Sequence, residues 1–498
     1  MLRTRIPSSR RPNVRPSCAP VSDGLLNVSH PQSEWLEVAR KSRGKRTSAK
    51  ASRESQAKFS TLLPRIEDPA HIVALDPLTL FYPFSLSAQD REYLAFFPHT
   101  SLVQWFGKPW KWASLNYLHS KIAPHSVVVM RMVLAIAAAE LESIRYAQQT
   151  QSSGEPPRQR DHERWVAGTH HYRIALRGFQ SLLVKSRPLS EQEFDEILAA
   201  FLLMAIYELH FSADTAGLQV HISGIYTFLR VRGVTFQGTW QQGSNLPVLS
   251  QQLLLFIMYI HISIIHQGQA VPSLWERAGH ESQLPSILDK LFYASRNVHL
   301  SIWQSGYPTQ ELVDDFSVFR PLELFNECNK FKLLIRDQQL QSAVDADKLA
   351  MELADIGNRF QDLIALSQRC DSGLCKRELQ TIYYVVAEFH AIELMLHQTI
   401  CTAKNESCHR RSLDAFMRIL KKISADDDSK LGRVFWAMIV TAESISDEDH
   451  RQWIQDALQR IRNMGVYKSV TLCAMDKSCG GSVSSNLHNN QYIVGSPH

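Results

Sequence analysis

Long apolar segments with the period of an α-helix follow one another through most of this sequence, and this pattern most strongly limits the folds it can adopt. The clearest one, EQEFDEILAAFLLMAIYELHF at 191–211, is preceded by Ser190 with Glu193 three residues on, the pattern of a capping box. Alternation typical of β-strands is scarce, so we predict an all-α protein, a large multi-helix array. Further helices are predicted over 125–149, 162–186, 249–267, 319–340, 344–368, 376–402, 410–424, 432–443 and 447–465.

Composition divides the chain into three parts. Residues 1–75 are rich in Ser, Arg, Lys, Pro and Ala and poor in aromatic residues, so this arm cannot bury enough apolar surface to fold and is expected to be disordered. Residues 76–475 are expected to form the helical body. Residues 476–498, rich in Ser, Gly and Asn, are expected to form a short flexible tail.

The positive charge of the chain is concentrated in the basic arm. Residues 1–60 hold 13 Lys and Arg against 4 Asp and Glu, whereas the whole chain carries a net charge of only +5. Within the arm, RKSRGKRTSAK at 40–50 resembles a nuclear-localisation signal, and the alternative is a solvated run of charge. The candidate signal residues are Arg40, Lys41, Arg43, Lys45 and Arg46.

The cysteine content and the hydropathy of the chain both indicate where in the cell the protein is expected to reside. The eight cysteines are sparse, and Cys18 stands more than 300 residues before Cys328, which suits reduced thiols in the cytosol or nucleus better than a secreted disulfide framework. The most apolar runs, at 127–139 and 253–265, are far shorter than the roughly 20 residues of a membrane-spanning helix. We therefore predict no association with a membrane.

The sequence motifs that commonly carry chemistry are missing. Neither GxGxxG, GxxxxGK[ST], GxSxG nor HExxH occurs. The adjacent His170 and His171 would diverge on a helix, and His261 and His266 are five residues apart, so neither pair suits a shared metal ion. We expect these four side chains to be capped or solvated, and we predict no catalytic residue, no cofactor, no metal site and no enzyme activity.

A zinc site built from cysteines is not favoured either. Cys370 and Cys375, together with Cys401 and Cys408, would supply four thiolates. Structural zinc sites usually take closely paired cysteines in loop-rich sequence, whereas the second pair here has six residues between its members and lies in helical sequence.

The stretch YELHFSADTAGLQVHISGIYTFLRVRG at 207–233 places His221 and Ser223 within an apolar run. These two side chains point away from each other on a helix, so they are not expected to form a catalytic pair. Gly224 is predicted to mark a close approach of two helices, and Gly233 to end the helix in the left-handed conformation. One apolar helical face is formed by Leu218, Ile222, Ile225 and Leu229.

Three segments occur in a distinctive order. An aromatic stretch, LFYPFSLSAQDREYLAFFPHTSLVQWFGKPWKW, precedes the Ala-rich VLAIAAAEL; AFLLMAIYELHFSADTAGLQVHISGIYTFLRVRG follows, and then RVFWAMIVTAESISDEDHRQWIQDAL. Together they resemble the fungal-specific transcription factor domain that follows zinc binuclear cluster DNA-binding domains, over about residues 76–470. The signature positions, which we expect to be structural, are Tyr207, Glu208, His221, Gly224, Leu229, Gly233, Trp436, Arg451 and Trp453.

This resemblance implies a nuclear regulator of a fungal gene set, such as a metabolic or biosynthetic cluster, acting through a helical regulatory domain. It implies partners among other transcription factors or co-regulators, including a second copy of the chain. The six-cysteine zinc cluster of the family needs CxxC pairs, and residues 1–75 contain only Cys18. Direct sequence-specific DNA binding is therefore not expected, and the basic arm predicts only weak, non-specific attraction to nucleic acid.

Two alternatives stay open. The chain can be a cluster-less adaptor or inhibitor that pairs with a DNA-binding relative through exposed helix faces. It can also be a helical small-molecule binder or enzyme, an interpretation supported by the density of Trp, Tyr and His in 76–120 and 162–172, because aromatic-lined cavities between helices bind ligands.

Overall fold

All secondary-structure elements in the part of the chain that the structure describes are helices, which confirms the all-α prediction. The computed structural model describes residues 86–105, 108–153, 166–184, 187–212, 216–234, 245–265, 284–340, 346–369, 377–400, 406–426, 428–445 and 447–463, of which 92% are helical. No helix among these residues is long and apolar enough to cross a membrane. The predicted disordered arm and flexible tail lie outside the described residues.

The α-helices are numbered here in chain order. The first eight are α1 (Ala88–Phe96), α2 (Ser101–Trp105), α3 (Ser114–Tyr117), α4 (Val127–Ser153), α5 (Val166–Leu183), α6 (Glu191–Phe211), α7 (Ala216–Val231) and α8 (Val248–Ile265). They are followed by α9 (Leu284–Ala294), α10 (Val298–Trp303), α11 (Thr309–Leu340), α12 (Ala346–Arg359), α13 (Gln361–Arg369), α14 (Arg377–Ile400), α15 (Glu406–Asp426), α16 (Phe435–Ser444) and α17 (Glu448–Asn463). A 3₁₀-helix, Asp428–Val434, precedes α16.

Helix α6 lies at the centre of the first half of the helical body. It packs against α4, α5, α7 and α8, and its residues from Ile197 to Phe211 are all buried. The capping box predicted at its start is present, since the Ser190 hydroxyl accepts from the Glu193 N–H and the Ser190 N–H donates to Glu193 Oε2. A helix that is apolar on every side is stable in water only when neighbours surround it, which explains this central position.

Helix α14 has the corresponding role in the second half. It packs against α11, α13, α15 and α16, and every residue from Thr381 to Ile392 is buried. Helix α8 joins the two halves, because it packs against α6 on one side and against α9, α10 and α11 on the other. The residues that line the space between α8, α11 and α14 therefore come from both halves.

The short helix α2 is held by a side chain from α4. The Ser101 N–H and hydroxyl donate to the two carboxylate oxygens of Glu140, at 2.7 and 3.0 Å. Burial raises the pKa of Glu140 to about 7, although these two hydrogen bonds oppose the shift. A carboxylate at a helix start satisfies backbone donors that otherwise have no partner.

Three parts of the helical body differ from the sequence prediction. Helix α11 begins at Thr309 rather than at 319 and continues through Pro321. The segment predicted as one helix over 344–368 is interrupted at the buried Phe360. Helices α9 and α10 lie in a region for which no helix was predicted, because their short apolar runs are punctuated by polar residues. These two helices are stabilised by tertiary packing, which a local sequence pattern does not reveal.

A close approach between helices α4 and α5 is made possible by Gly168. A Cβ added to Gly168 would lie 2.9 Å from Ala139 Cβ and 3.1 Å from the Ala135 carbonyl oxygen. Both neighbours belong to the rigid part of α4, so any side chain at position 168 would push the two helices apart.

We expect Gly168→Val to destabilise the protein by about 2–3 kcal/mol, because an overpacked contact with backbone atoms cannot be relieved by rotating a side chain. Urea unfolding monitored by circular dichroism measures the change. The matched control is Gly306→Val, since no heavy atom lies within 4 Å of a Cβ at that position. An unfolding midpoint for Gly168→Val equal to that of the control would contradict the close approach.

Candidate functional site

A cavity of about 360 Å³ lies between helices α8, α11 and α14. This volume is within the range of small-molecule sites in proteins. Parts of α6, α9, α10, α16 and the 3₁₀-helices Ser295–Asn297 and Asp428–Val434 complete the lining, together with Lys108 and Ser114. From the stretch at 76–120, the residues in the lining are Lys108 and Ser114 and none of its aromatic side chains, and the stretch at 162–172 does not contribute to the lining.

Each of the three main walls is one face of a helix, because residues three, four, seven or eight positions apart lie on the same side. Helix α8 contributes Gln252, Leu255, Phe256, Tyr259, Ile260 and Ser263. Helix α11 contributes Asp314, Asp315, Val318, Phe319, Leu322 and Phe325. Helix α14 contributes Arg377, Thr381, Tyr384, Val385 and Glu388. Arg377 and Glu388 are eleven residues apart, so this wall is roughly 16 Å long.

Charged side chains meet at the end of the cavity where α11 and α14 begin. Lys108 Nζ lies 3.0 Å from Glu311 Oε2 and 2.6 Å from Asp315 Oδ1. Arg377 pairs with Asp314 and lies 3.5 Å from Glu311 Oε2. The cations at this end are therefore engaged by carboxylates of α11.

A buried ion pair lies at the other end of the cavity. Lys332 of α11 pairs with Glu388 of α14, and the Lys332 ammonium also lies 3.4 Å from the ring centroid of Trp436 in α16. Lys332 is fully buried, and a desolvated ammonium over an indole face is a strong cation–π contact. The signature residue Trp436 thus forms part of the cavity wall and joins three helices.

Two arginines line the cavity between these ends. The Arg433 guanidinium lies 4.0 Å from the ring centroid of Tyr384, and burial lowers its pKa although a hydrogen bond to Tyr384 opposes the shift. The Arg296 guanidinium lies 4.4 Å from the ring centroid of Phe319. Arg296 and Leu322 are exposed while the rest of the lining is buried or half-buried, so these two mark the opening of the cavity.

The signature residues Glu208 and His221 come together on the far side of α6 from the cavity, where they form a buried cluster with Tyr172. The Tyr172 hydroxyl donates to Glu208 and lies 2.6 Å from His221 Nε2, and Ser212 donates to the other carboxylate oxygen. Because the single hydroxyl proton goes to Glu208, the His221 Nε2–H is the donor to the phenol oxygen. None of these residues lines the cavity, and we interpret the cluster as structural.

The environment of Glu208 favours its charged form. Burial raises its pKa, but the nearby His221 ring and the hydrogen bonds from Ser212 and Tyr172 outweigh burial, and the net shift is downward. The carboxylate occupies the space that a side chain at position 217 would need, since a Cβ on Gly217 would overlap its atoms. Gly217 is therefore a residue of the cluster that sequence reasoning missed.

The other signature residues of α6 and α7 are packing positions. Tyr207 stacks on Tyr172 with ring centroids 4.4 Å apart, and Leu229 is buried. A Cβ on Gly224 would lie 3.3 Å from Phe201 Cε1, which makes the contact between α6 and α7 tight there. Gly233 has a φ of +63°, and the Val234 N–H donates to the Leu229 carbonyl, the geometry of a Schellman cap.

The last two signature residues lie on α17. Arg451 donates to the Ile445 carbonyl and to Glu448 Oε2, both at 2.6 Å, and so fixes the connection from α16 to α17. Trp453 packs against the hydrophobic core. The candidate localisation residues Arg40, Lys41, Arg43, Lys45 and Arg46 lie outside the described residues.

The prediction that His171 is capped or solvated was wrong, because this side chain is buried. Its ring lies 3.1 Å from an Arg131 guanidinium nitrogen at Nδ1 and 3.2 Å from Asp90 Oδ1 at Nε2. Burial lowers its pKa to about 4, so the neutral ring accepts from the arginine and donates to the aspartate.

The same prediction was wrong for His261, whose Nδ1 lies 2.7 Å from the Tyr226 hydroxyl in a buried contact. Burial lowers the pKa of His261 to about 3. His170 is exposed, whereas His266 lies outside the described residues. Residue spacing alone does not show that a neutral imidazole has a partner in the core.

Among the described residues, no three His, Cys, Asp or Glu side chains are grouped so as to hold a metal ion. Cys408 is exposed, while Cys370, Cys375 and Cys401 lie outside the described part of the chain. Sequence reasoning also missed Lys332, Glu388, Arg296 and Arg433. For Lys332 and Glu388 the available signal was an ionisable residue inside an apolar helical run, NKFKLLI and VVAEFHAI. Arg296 and Arg433 lie in short 3₁₀-helices, where no such signal exists.

Residues 93–474, more than half of the chain, match the family model described as "Fungal specific transcription factor domain". The match includes the described helices from α2 to α17 and the last four residues of α1, and so it contains both the cavity and the buried cluster. No curated protein and no solved structure matches the chain significantly.

We expect Glu208→Gln to destabilise the protein by roughly 1–3 kcal/mol at pH 7, because the Tyr172 and Ser212 hydroxyls lose a charged acceptor in a buried cluster. The pKa of Glu208 is lowered in the folded state, so its contribution to stability is present above its ordinary value of 4.5 and is lost as the pH falls through the lowered value. The difference in the free energy of unfolding between the variant and the wild type should therefore become smaller as the pH falls toward 4. Urea unfolding at a series of pH values measures it.

The matched comparison is Glu140→Gln, which should have the opposite pH dependence. Because burial raises the pKa of Glu140 to about 7, its contribution to stability is present below the ordinary value of 4.5 and is lost as the pH rises through about 7. Glutamine keeps an acceptor for Ser101 without a charge, so the variant should gain stability relative to wild type between pH 5 and pH 8. If the stability of both variants relative to the wild type changed with pH in the same direction, the opposite pKa shifts of Glu208 and Glu140 would be contradicted.

Proposed function

This chain belongs to the fungal specific transcription factor domain family, and we propose that it regulates a fungal gene set, such as a metabolic or biosynthetic cluster, through its helical body. The observation that carries the proposal is the extent of the family match, which over residues 93–474 takes in nearly all of the described helices. The family suggests a regulator of transcription and not an enzyme.

We propose that the body acts through protein partners, namely other transcription factors or co-regulators, including a second copy of the chain. The basic arm supports an additional, weak attraction to nucleic acid, because its excess of Lys and Arg neutralises phosphates without reading bases. Such binding is non-specific and falls steeply as salt is added.

A second candidate function is that of an adaptor or inhibitor that pairs with a DNA-binding relative. It is favoured by apolar side chains that α9, α10 and α11 leave exposed, since such patches mark interaction surfaces. Val313 and Phe316 are 53% and 54% exposed and lie three residues apart on α11. The other members of this exposed set are Tyr293, Leu300 and Leu322.

The family implies a nuclear protein in general, and we propose that RKSRGKRTSAK at 40–50 is the segment that directs this chain to the nucleus. Six of its eleven residues are basic, which suits recognition by the acidic surface of an import receptor.

We expect the full chain, fused to a heterologous DNA-binding domain, to change the expression of a reporter that carries the binding sites of that domain. The same fusion with Gly168→Val is the control, because its destabilised body should lose the effect. The regulatory proposal fails if the fusion has no effect on the reporter and deletion of the native gene changes no transcript.

The adaptor function predicts a different result in the same assay. The fusion should then be inactive, while the wild-type chain should co-purify a relative that carries a zinc cluster. Phe316→Asp should abolish this co-purification, and Arg230→Asp, an exposed position on α7 away from these apolar side chains, should leave it unchanged.

We expect a fluorescently tagged chain to lose nuclear accumulation when five basic residues are replaced by alanine: Arg40, Lys41, Arg43, Lys45 and Arg46. The reason is that an import receptor needs the clustered charges, and the measurement is the ratio of nuclear to cytoplasmic fluorescence. The matched control removes the same charge from the same arm by alanine substitutions at Arg3, Arg5, Arg10, Arg11 and Arg15. Equal loss in both variants would contradict a localised signal.

A further inference from the structure

We propose that the cavity between α8, α11 and α14 is an effector site for an organic acid that has an apolar body and a single negative charge. The acid group contacts Arg296 at the opening, and the body fills the interior. This inference goes beyond the proposed transcriptional function, because it concerns what the helical body binds and not what the bound protein regulates.

The interior of the cavity is suited to an apolar body. Leu255, Val385 and Phe435 are buried in its walls. The polar side chains of the lining already have partners within the protein, since the Ser114 hydroxyl donates to Gln252 at 2.5 Å and the Ser295 hydroxyl to the Leu291 carbonyl at 2.6 Å. A ligand that replaced these hydrogen bonds would gain little, whereas apolar surface would be removed from water.

The carboxylates of the lining do not favour a ligand with a positive charge. Asp315 is engaged by Lys108, Asp314 by Arg377, and Glu388 by Lys332. An amine would have to displace one of these cations from a partly or fully buried pair, which leaves the displaced cation without its partner.

Arg296 is the cation that is placed to receive an anion. Its guanidinium lies 5.2 and 4.4 Å from the ring centroids of Phe316 and Phe319, and no carboxylate of the described residues forms a salt bridge with it. The two rings hold the guanidinium at the opening, and its donor fork fits a carboxylate.

The charge of the lining indicates one negative charge on the ligand. With the lining residue His299 counted as neutral, four cations, Lys108, Arg296, Arg377 and Arg433, stand against three carboxylates, Asp314, Asp315 and Glu388. Glu311 and Lys332 pair with members of this set from outside the lining, and their opposite charges cancel. The sum is one positive charge, which a monoanion neutralises.

Three probes with the same ten-carbon body separate the contributions of body and head group: decanoate, 1-decanol and decylamine. Titration calorimetry with the purified full chain at pH 7.5, below the micelle concentrations, should show the tightest binding for decanoate. We expect decanoate to bind about tenfold more tightly than 1-decanol, and decylamine to bind most weakly. The preference for decanoate should shrink as salt is added, because Arg296 is exposed, while binding of 1-decanol should not weaken.

Substitutions locate the two parts of the site. Arg296→Gln should remove the preference for decanoate while 1-decanol still binds, and Arg296→Lys should retain part of it. Val318→Trp should weaken binding of both by filling the cavity. Arg320→Gln is the matched control, an exposed arginine of α11 whose guanidinium lies 5.1 Å from the Phe360 ring centroid, outside the lining.

Any of three results would overturn the proposal: equal affinity for decanoate and 1-decanol, an unchanged preference in Arg296→Gln, or unchanged binding in a folded Val318→Trp variant. If Val318→Trp does not fold, the binding measurements on Arg296→Gln, a substitution at the surface, still test the proposal. The assay has no transcriptional readout, so its failure is distinct from failure of the proposed function.

Discussion

The buried pair of Lys332 and Glu388 beneath the Trp436 ring is the interaction on which the second half of the helical body depends. Removing two charges from water is costly, and their mutual attraction, together with the indole face, offsets that cost only in a fixed geometry. Since the three side chains come from α11, α14 and α16, this geometry fixes the positions of these helices relative to one another along their axes. The same interaction therefore also fixes the relative positions of the helices that form the walls of the cavity.

The signature residues of the family acquire a physical meaning from their contacts. Glu208 and His221 stand thirteen residues apart in the sequence and meet, through Tyr172, in a cluster between α5, α6 and α7. Trp436 serves the same purpose in the other half. The contacts of these positions join helices to one another, so we interpret them as residues of the scaffold.

The sequence predicted the helical class and most helices, because apolar periodicity and caps such as Ser190 with Glu193 are local signals. It did not predict α9, which packs on α8 and α11, or α10, which packs on α8. It also could not predict the cavity, since Lys108, Gln252, Asp315 and Glu388 meet only in three dimensions. Burial of His171 and His261 was missed for the same reason: their partners Arg131 and Tyr226 are 40 and 35 residues away along the chain.

The wall residues of the cavity are spread from Lys108 to Trp436, more than 300 residues along the chain. During synthesis the N-terminal helices emerge first and can pack around α6 before α14 and α16 leave the ribosome. The cavity is therefore completed only when nearly the whole body has been made. Any molecule that binds there distinguishes a finished chain from a nascent or truncated one, and its binding energy is added to the stability of the complete fold alone.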